Sequence, residues 1–165
     1  MNIAQQLFEK FRSALAELGT ILDQSGRGGS LVSIGLVTDD AVESIGASLL
    51  FVGDLPDNAP SYQRLSPVEW PHTHEAAFTE LNRYLKAIRP PAGESDDEYK
   101  ARVDLVVDAC AAAMLQVDLR RRFPQLAFIS FAGVDPNPVL EAAEAEIVRR
   151  LNSPHVLEEW RREFG

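Results

Sequence analysis

The chain has 165 residues, one cysteine (Cys110) and a formal charge of −9, from 25 acidic against 16 basic side chains. A single domain over residues 1–165 is expected, able to bury about 70% of its unfolded surface without disulfide or metal support. The acidic balance argues against a general nucleic-acid or anionic-membrane binder, which needs a basic face, and no apolar run reaches the roughly 18 residues of a membrane span.

Residues 1–12 mix Glu9, Lys10 and Arg12 with apolar side chains, unlike a secretory signal, and the lone thiol suits a reducing cytoplasm. Ile3, Leu7, Phe8, Phe11, Leu15, Leu18 and Leu22 recur at helical spacing, so residues 3–22 form an amphipathic helix in this reading. Gly26-Arg27-Gly28-Gly29-Ser30 breaks it. Residues 31–37 read as a strand and Thr38-Asp39-Asp40 as a turn. A second strand is expected within 42–52, with Gly46 marking a bulge, and the two strands should pair as an antiparallel hairpin. Residues 54–60 form a loop by composition, and 62–65 a third strand.

Ser66-Pro67-Val68-Glu69 carries a hydroxyl cap, a proline at the first helical position and a glutamate three residues after the cap. A helix follows over 77–88, stopped by Pro90-Pro91. A capping box, Ser95 to Glu98, opens a long helix whose stripe is Tyr99, Val103, Val106, Val107, Cys110, Met114 and Val117, widened by Leu105, Ala109, Ala112 and Leu115. Pro124 ends that segment, and 126–131 reads as a strand. Asp135-Pro136-Asn137-Pro138 caps a helix carrying Leu140, Ala143, Ile147 and Leu151. Ser153-Pro154 caps a last one carrying Val156, Leu157, Trp160 and Phe164. The fold class is therefore α+β: a small antiparallel sheet, a hairpin or meander plus one later strand, covered by about five helices.

Three segments together resemble a known family: the hairpin residues 31–40, Arg64-Leu65-Ser66-Pro67-Val68-Glu69-Trp70, and Arg149-Arg150-Leu151-Asn152-Ser153-Pro154 with Val156 and Trp160. They are similar to the bacterial domain-of-unknown-function family numbered 4303. That family joins a strand ending in a Thr-Asp-Asp-like turn to a Trp-Ser-Pro-x-Glu-Trp-like element and a Leu-Asn-Ser-Pro-x-Val helix start. Leu65 stands where the family usually has an aromatic residue. The resemblance covers nearly the whole chain and implies no settled activity. Some family members sit beside secreted toxins of interbacterial competition and look like immunity proteins, which raises the expectation of a toxin-neutralising role here.

No catalytic set, cofactor or metal is expected from the residues themselves. Gly26, Gly28 and Gly29 follow a helix and precede a strand, the reverse of a phosphate-cradling loop, so they read as a helix cap and linker. His72 and His74 with Glu75 would offer two imidazoles and a carboxylate, but the two histidines share a side only in an extended segment, whereas a helix is expected from Thr73, so they read as solvated. Cys110 lies in an apolar stripe and reads as an inert buried thiol. The arginines 120–122, 149 and 150 fall near helix ends, where cations complement the dipole.

The acids carry more information. No basic residue lies between Arg27 and Arg64, while Asp39, Asp40, Glu43, Asp54 and Asp57 do, and hairpin tips should present them to solvent together. With Tyr62 and Trp70 as aromatic anchors, these are the expected contacts to a protein partner, a cognate toxin on the family resemblance. Two alternatives stay open. One is a self-associating subunit using the face of Leu157 and Trp160; the other is a metal-dependent enzyme using Glu69, His72 and His74.

Overall fold

The structure, a computed structural model, describes residues 1–135 and 137–165. Helix α1 (Ile3–Gln24) begins where the Asn2 side chain accepts a hydrogen bond from the Gln5 amide at 2.9 Å, and it buries Leu7, Phe11, Leu15, Leu18 and Leu22 along one side. Beyond its last turn Gly26 takes φ +70°, the left-handed conformation that a glycine after a helix supplies without steric cost. Strand β1 (Leu31–Thr38) then pairs antiparallel with β2 (Ile45–Phe51). The chain continues through helix α2 (Ser61–Leu65), a 3₁₀ turn (Pro67–Glu69), strand β3 (His72–His74) and helix α3 (Thr79–Ile88). Helix α4 (Asp96–Val117), the short α5 (Leu119–Arg122), strand β4 (Phe128–Gly133), α6 (Pro138–Leu151) and α7 (Pro154–Phe164) complete it.

The α+β class holds, but the sheet is mixed rather than antiparallel. Its order is β3-β2-β1-β4, and β4 runs parallel to β1. The reason is topological: β3 and the helices α2 to α5 stand between the hairpin and β4, and such a long crossover returns the chain to the end of the sheet where β1 began.

One face of the sheet holds the larger core. Ile34, Leu36, Ile45, Leu49, Ile129 and Phe131 point there, against Phe11 and Leu15 of α1, Phe78 and Leu81, and Val103, Val106 and Cys110 of α4. Full burial of each large aliphatic or aromatic side chain contributes roughly 1.5–3 kcal/mol. The other face is covered more thinly, by Leu65, Trp70, Val148 and Trp160 over Leu50 and Phe128. Here Gly35 matters, because a Cβ at that position would overlap the Pro67 ring. The 3₁₀ turn lies directly on the sheet.

Local signals erred where elements are short. Residues 62–65 lie in α2 rather than in a strand, since one turn suffices to bury Leu65 while Tyr62 stays 40% exposed. The third strand is instead His72–His74, in the segment read as a helix start; three residues show no periodicity, and pairing with β2 decides their conformation. Ser66 makes no capping bond. Gly46 pairs regularly with Val37, and the register irregularity falls between Leu31 and Ser33. On α4 the capping box of Ser95 and Glu98 forms as expected, but Ala112 is exposed, as are Leu105 and Leu115 (62%), because α1 and α6 cover only part of that helix. Pro136, read as part of the cap before α6, lies outside the described residues; Asn137 performs the capping, accepting from the Leu140 amide at 2.9 Å.

The Leu-Asn-Ser-Pro element has a structural task. Asn152 Oδ1 accepts from the Ile129 amide at 2.8 Å, and its Nδ2 donates to the Ile129 carbonyl at 2.6 Å, so one side chain pairs with β4 at the sheet edge. Asn82 grips Ile45 of β2 in the same way, at 2.8 and 2.9 Å. Asn152→Ala should lower stability by about 2 kcal/mol, since part-buried backbone groups would lose their partner. Urea unfolding checks this, and an unchanged midpoint would show that water replaces the side chain. The arginines have specific partners beyond the dipole: Arg120 donates to the Leu151 carbonyl and Asn152, Arg122 pairs with Asp23, Arg149 with Glu146 and Arg150 with Asp108.

Candidate functional site

Parallel pairing sets the C-terminal ends of β1 and β4 side by side, Thr38 opposite Gly133. The segments that leave these ends are therefore neighbours. After β1 comes the turn 39–44, in which Asp39 Oδ1 accepts from the Glu43 amide at 2.8 Å. Val42, fully buried, has φ +51°, a conformation that a β-branched residue adopts only when its surroundings enforce it.

Two residues of α4 do the enforcing. Arg102 donates to the carbonyls of Ala41 (2.8 Å) and Val42 (3.4 Å) and forms a two-point pair with Glu94 at 2.5 and 2.7 Å. Tyr99 donates its hydroxyl to the Asp40 carbonyl at 2.8 Å and accepts from Asn137 at 3.3 Å. One tyrosine thus ties the turn after β1 to the cap of α6.

Two cavities flank this end of the sheet. The first, about 310 Å³, has an apolar floor of Val37, Ala47, Pro67, Val68 and Val134, with Ser44, Thr73, Asp39 and Glu75 also lining it. The second, about 250 Å³, lies between α6 and α7 and is lined by Leu140, Trp160 and Phe164 together with Asp135, Asn137, Glu141 and Glu144. Neither is lined by a lysine or arginine among the described residues.

Glu144 has the most perturbed carboxyl. Burial pushes its pKa up to about 7, and the nearby charge of Glu141 adds to that; hydrogen bonding from Ser130 (3.1 Å) and the approach of the Trp160 indole oppose it. The indole N–H faces the carboxylate without reaching full hydrogen-bond geometry, and so stays buried without a partner.

The residues expected to meet a partner divide. Asp39, Asp40 and Glu43 share the turn, with Asp40 exposed and Glu43 paired to Arg89. Asp54 and Asp57 do not join them. They follow β2 and lie at the other end of the hairpin, about 20 Å away along a seven-residue strand. Asp54 is also engaged rather than free: it accepts from the Phe51 amide at 2.7 Å and lies 3.1 Å from His72 Nε2 and 3.8 Å from Arg27. Trp70 is 4% exposed, donates to the Gln63 carbonyl at 2.9 Å and meets Phe128 edge-on, so it pins its loop to the sheet instead of projecting as an anchor.

The other candidates resolve similarly. β3 being extended, His72 and His74 do share a side, yet His72 packs against the Phe51 ring and bonds Asp54. Glu69 is exposed on the 3₁₀ turn, and among the described residues no group of three or more His, Cys, Asp or Glu side chains is placed to hold a metal. Cys110 is fully buried, its thiol pushed up to about 12 by desolvation. Trp160 is buried and Leu157 half-buried, both packed in the cluster that contains Phe128.

Glu75 entered the sequence analysis only beside His72 and His74, and Asp135 only as part of a helix cap; Glu141 and Glu144 were not singled out. A signal for Glu144 exists: it falls midway in the row Leu140, Glu144, Val148, Leu151, a carboxylate at a position where helical spacing calls for an apolar residue. No curated protein and no solved structure matches the chain. A family does match, over residues 7–153, and by that span the chain belongs to the family described as Domain of unknown function (DUF4303).

Proposed function

We propose that this protein is a non-enzymatic inhibitor of the immunity type, which neutralises a cognate bacterial toxin by direct protein–protein contact. The observation that carries this reading is the pair of cavities at the ends of β1 and β4. Their carboxylates, Asp39, Glu75, Asp135, Glu141 and Glu144, surround apolar floors with no basic residue in the linings. A toxin that acts on an anionic substrate carries a basic cleft, and a surface of this kind steers toward such a cleft and occludes it. The fixed turn supports the same reading, because a pre-ordered loop loses little entropy on binding. The family resemblance to proteins encoded beside secreted toxins adds weight.

Co-expression with a toxin candidate taken from the neighbouring genes tests the reading. Growth should be rescued and a stable complex recovered; neither outcome occurring would end the proposal. Charge reversal at the exposed Asp40 and Asp135, to lysine, should slow association about tenfold at low salt, with the difference shrinking as salt screens it. Stopped-flow binding at two ionic strengths measures this, and equal rates would rule out steering from this end of the sheet.

A further inference from the structure

The cavity between α6 and α7 combines features that a solubilising acidic surface does not need. Its inner wall is the indole of Trp160, 7% exposed, and its outer wall the ring of Phe164, 46% exposed; the centroids lie 5.8 Å apart, tilted by 38°. Carboxylates from the loop after β4 (Asp135) and from successive turns of α6 (Glu141 and Glu144) complete the lining. Aromatic faces and carboxylates both attract cations, and together they select a charge carried on a slender apolar stem. The N-terminal end of α6 favours anions, but its roughly half charge is outweighed by the carboxylates of Asp135 and Glu141 even before Glu144 is counted.

One buried donor in this cavity lacks a full hydrogen bond, and the carboxyl it faces has its pKa raised by desolvation. The Trp160 N–H approaches Glu144 without full hydrogen-bond geometry, and Glu144, which accepts from the Ser130 hydroxyl at 3.1 Å, has its pKa pushed up to about 7 by burial. A cation seated beside Glu144 favours the ionised carboxylate, which accepts from the indole N–H more strongly. A volume of about 250 Å³ accommodates one long basic side chain.

We infer that this cavity is the receptor for a single arginine or lysine side chain presented by the protein partner. The inference rests on the binding role proposed above and specifies one contact within it. Charge complementarity names the occupant, and the two aromatic walls and the unpartnered indole distinguish the cavity from the acidic surface around it.

The test uses the full chain labelled with ¹⁵N and follows its two indole N–H signals. Trp70, already bonded to Gln63, serves as the internal reference. Titration with N-acetyl-arginine methylamide, and with its lysine counterpart, should shift the Trp160 signal saturably in the millimolar range and leave Trp70 in place. The neutral citrulline analogue should leave both unmoved. Glu141→Gln, an exposed change that spares the fold, should weaken binding several-fold, and Glu144→Gln should abolish the shift. No saturable shift, or an equal one with citrulline, overturns the inference. Spermidine is the competing source of the same chemistry; tighter binding of spermidine than of the arginine amide would make the site one for a free polyamine and overturn the partner assignment. Failure of growth rescue with an intact Trp160 response would count against the toxin reading alone.

Discussion

Arg102→Ala should lower the free energy of unfolding by about 3–5 kcal/mol, the usual cost of stranding one member of a buried ion pair. Both side chains are nearly inaccessible, 7% exposed for Arg102 and 8% for Glu94, and the variant leaves the Glu94 carboxylate buried without its two donors. It also frees the Ala41 and Val42 carbonyls, whose bonds to Arg102 hold Val42 at its positive φ. Replacing the pair by Met and Gln should recover part of the loss, because no buried charge then remains unpaired. Acid should narrow the difference. The Arg102 guanidinium holds the Glu94 carboxyl below its ordinary value of 4.5, so this contribution is complete above that value and lost as pH falls through the depressed one. Urea unfolding at pH 7 and pH 3 provides the check, and a loss below 1 kcal/mol at pH 7 would mean that water reaches the Glu94 site. The turn that loosens in Arg102→Ala carries Asp39 and Asp40, so association with the proposed partner should weaken with stability.

Long elements were legible in the sequence, and short ones were not. The periodicity of α1 and the capping box of α4 each involve several residues that agree, so the helices fall where the spacing puts them. A three-residue strand and a five-residue helix offer no such redundancy. His72–His74 is extended because β2 has a free edge, and Ser61–Leu65 coils because Leu65 has a pocket beside Trp70. The expected grouping of acids divides for a related reason. The sequence places Asp39, Asp40, Asp54 and Asp57 close together, but β2 carries the last two to the opposite end of the sheet. Asp135 and Glu141, a hundred residues further on, come alongside Asp39 only because β4 runs parallel to β1. Parallel pairing leaves no local mark in composition or spacing; it is decided by how the intervening helices pack.

Glu144→Gln should stabilise the protein at high pH and leave it nearly unchanged at low pH. The folded-state pKa of about 7 lies above the ordinary 4.5, so between these values the folded chain holds a proton that the unfolded chain has released. Stability from this group is therefore greatest below pH 4.5 and declines as pH rises through 7, by on the order of 3 kcal/mol in total. Glutamine keeps an acceptor for the Ser130 hydroxyl but never ionises, which removes the decline. Unfolding of wild type and variant at pH 5 and pH 8 isolates the effect as a difference of differences, in which every group common to the two proteins cancels. An equal gap between the two proteins at both pH values would sink the assignment. The same linkage runs through binding: a ligand that prefers the ionised carboxylate must draw the pKa down, so its affinity has to climb over the pH range in which wild-type stability falls. A carboxyl that weakens the free protein at neutral pH would release that energy on binding the proposed cation, which ties the stability profile and the affinity profile to one group.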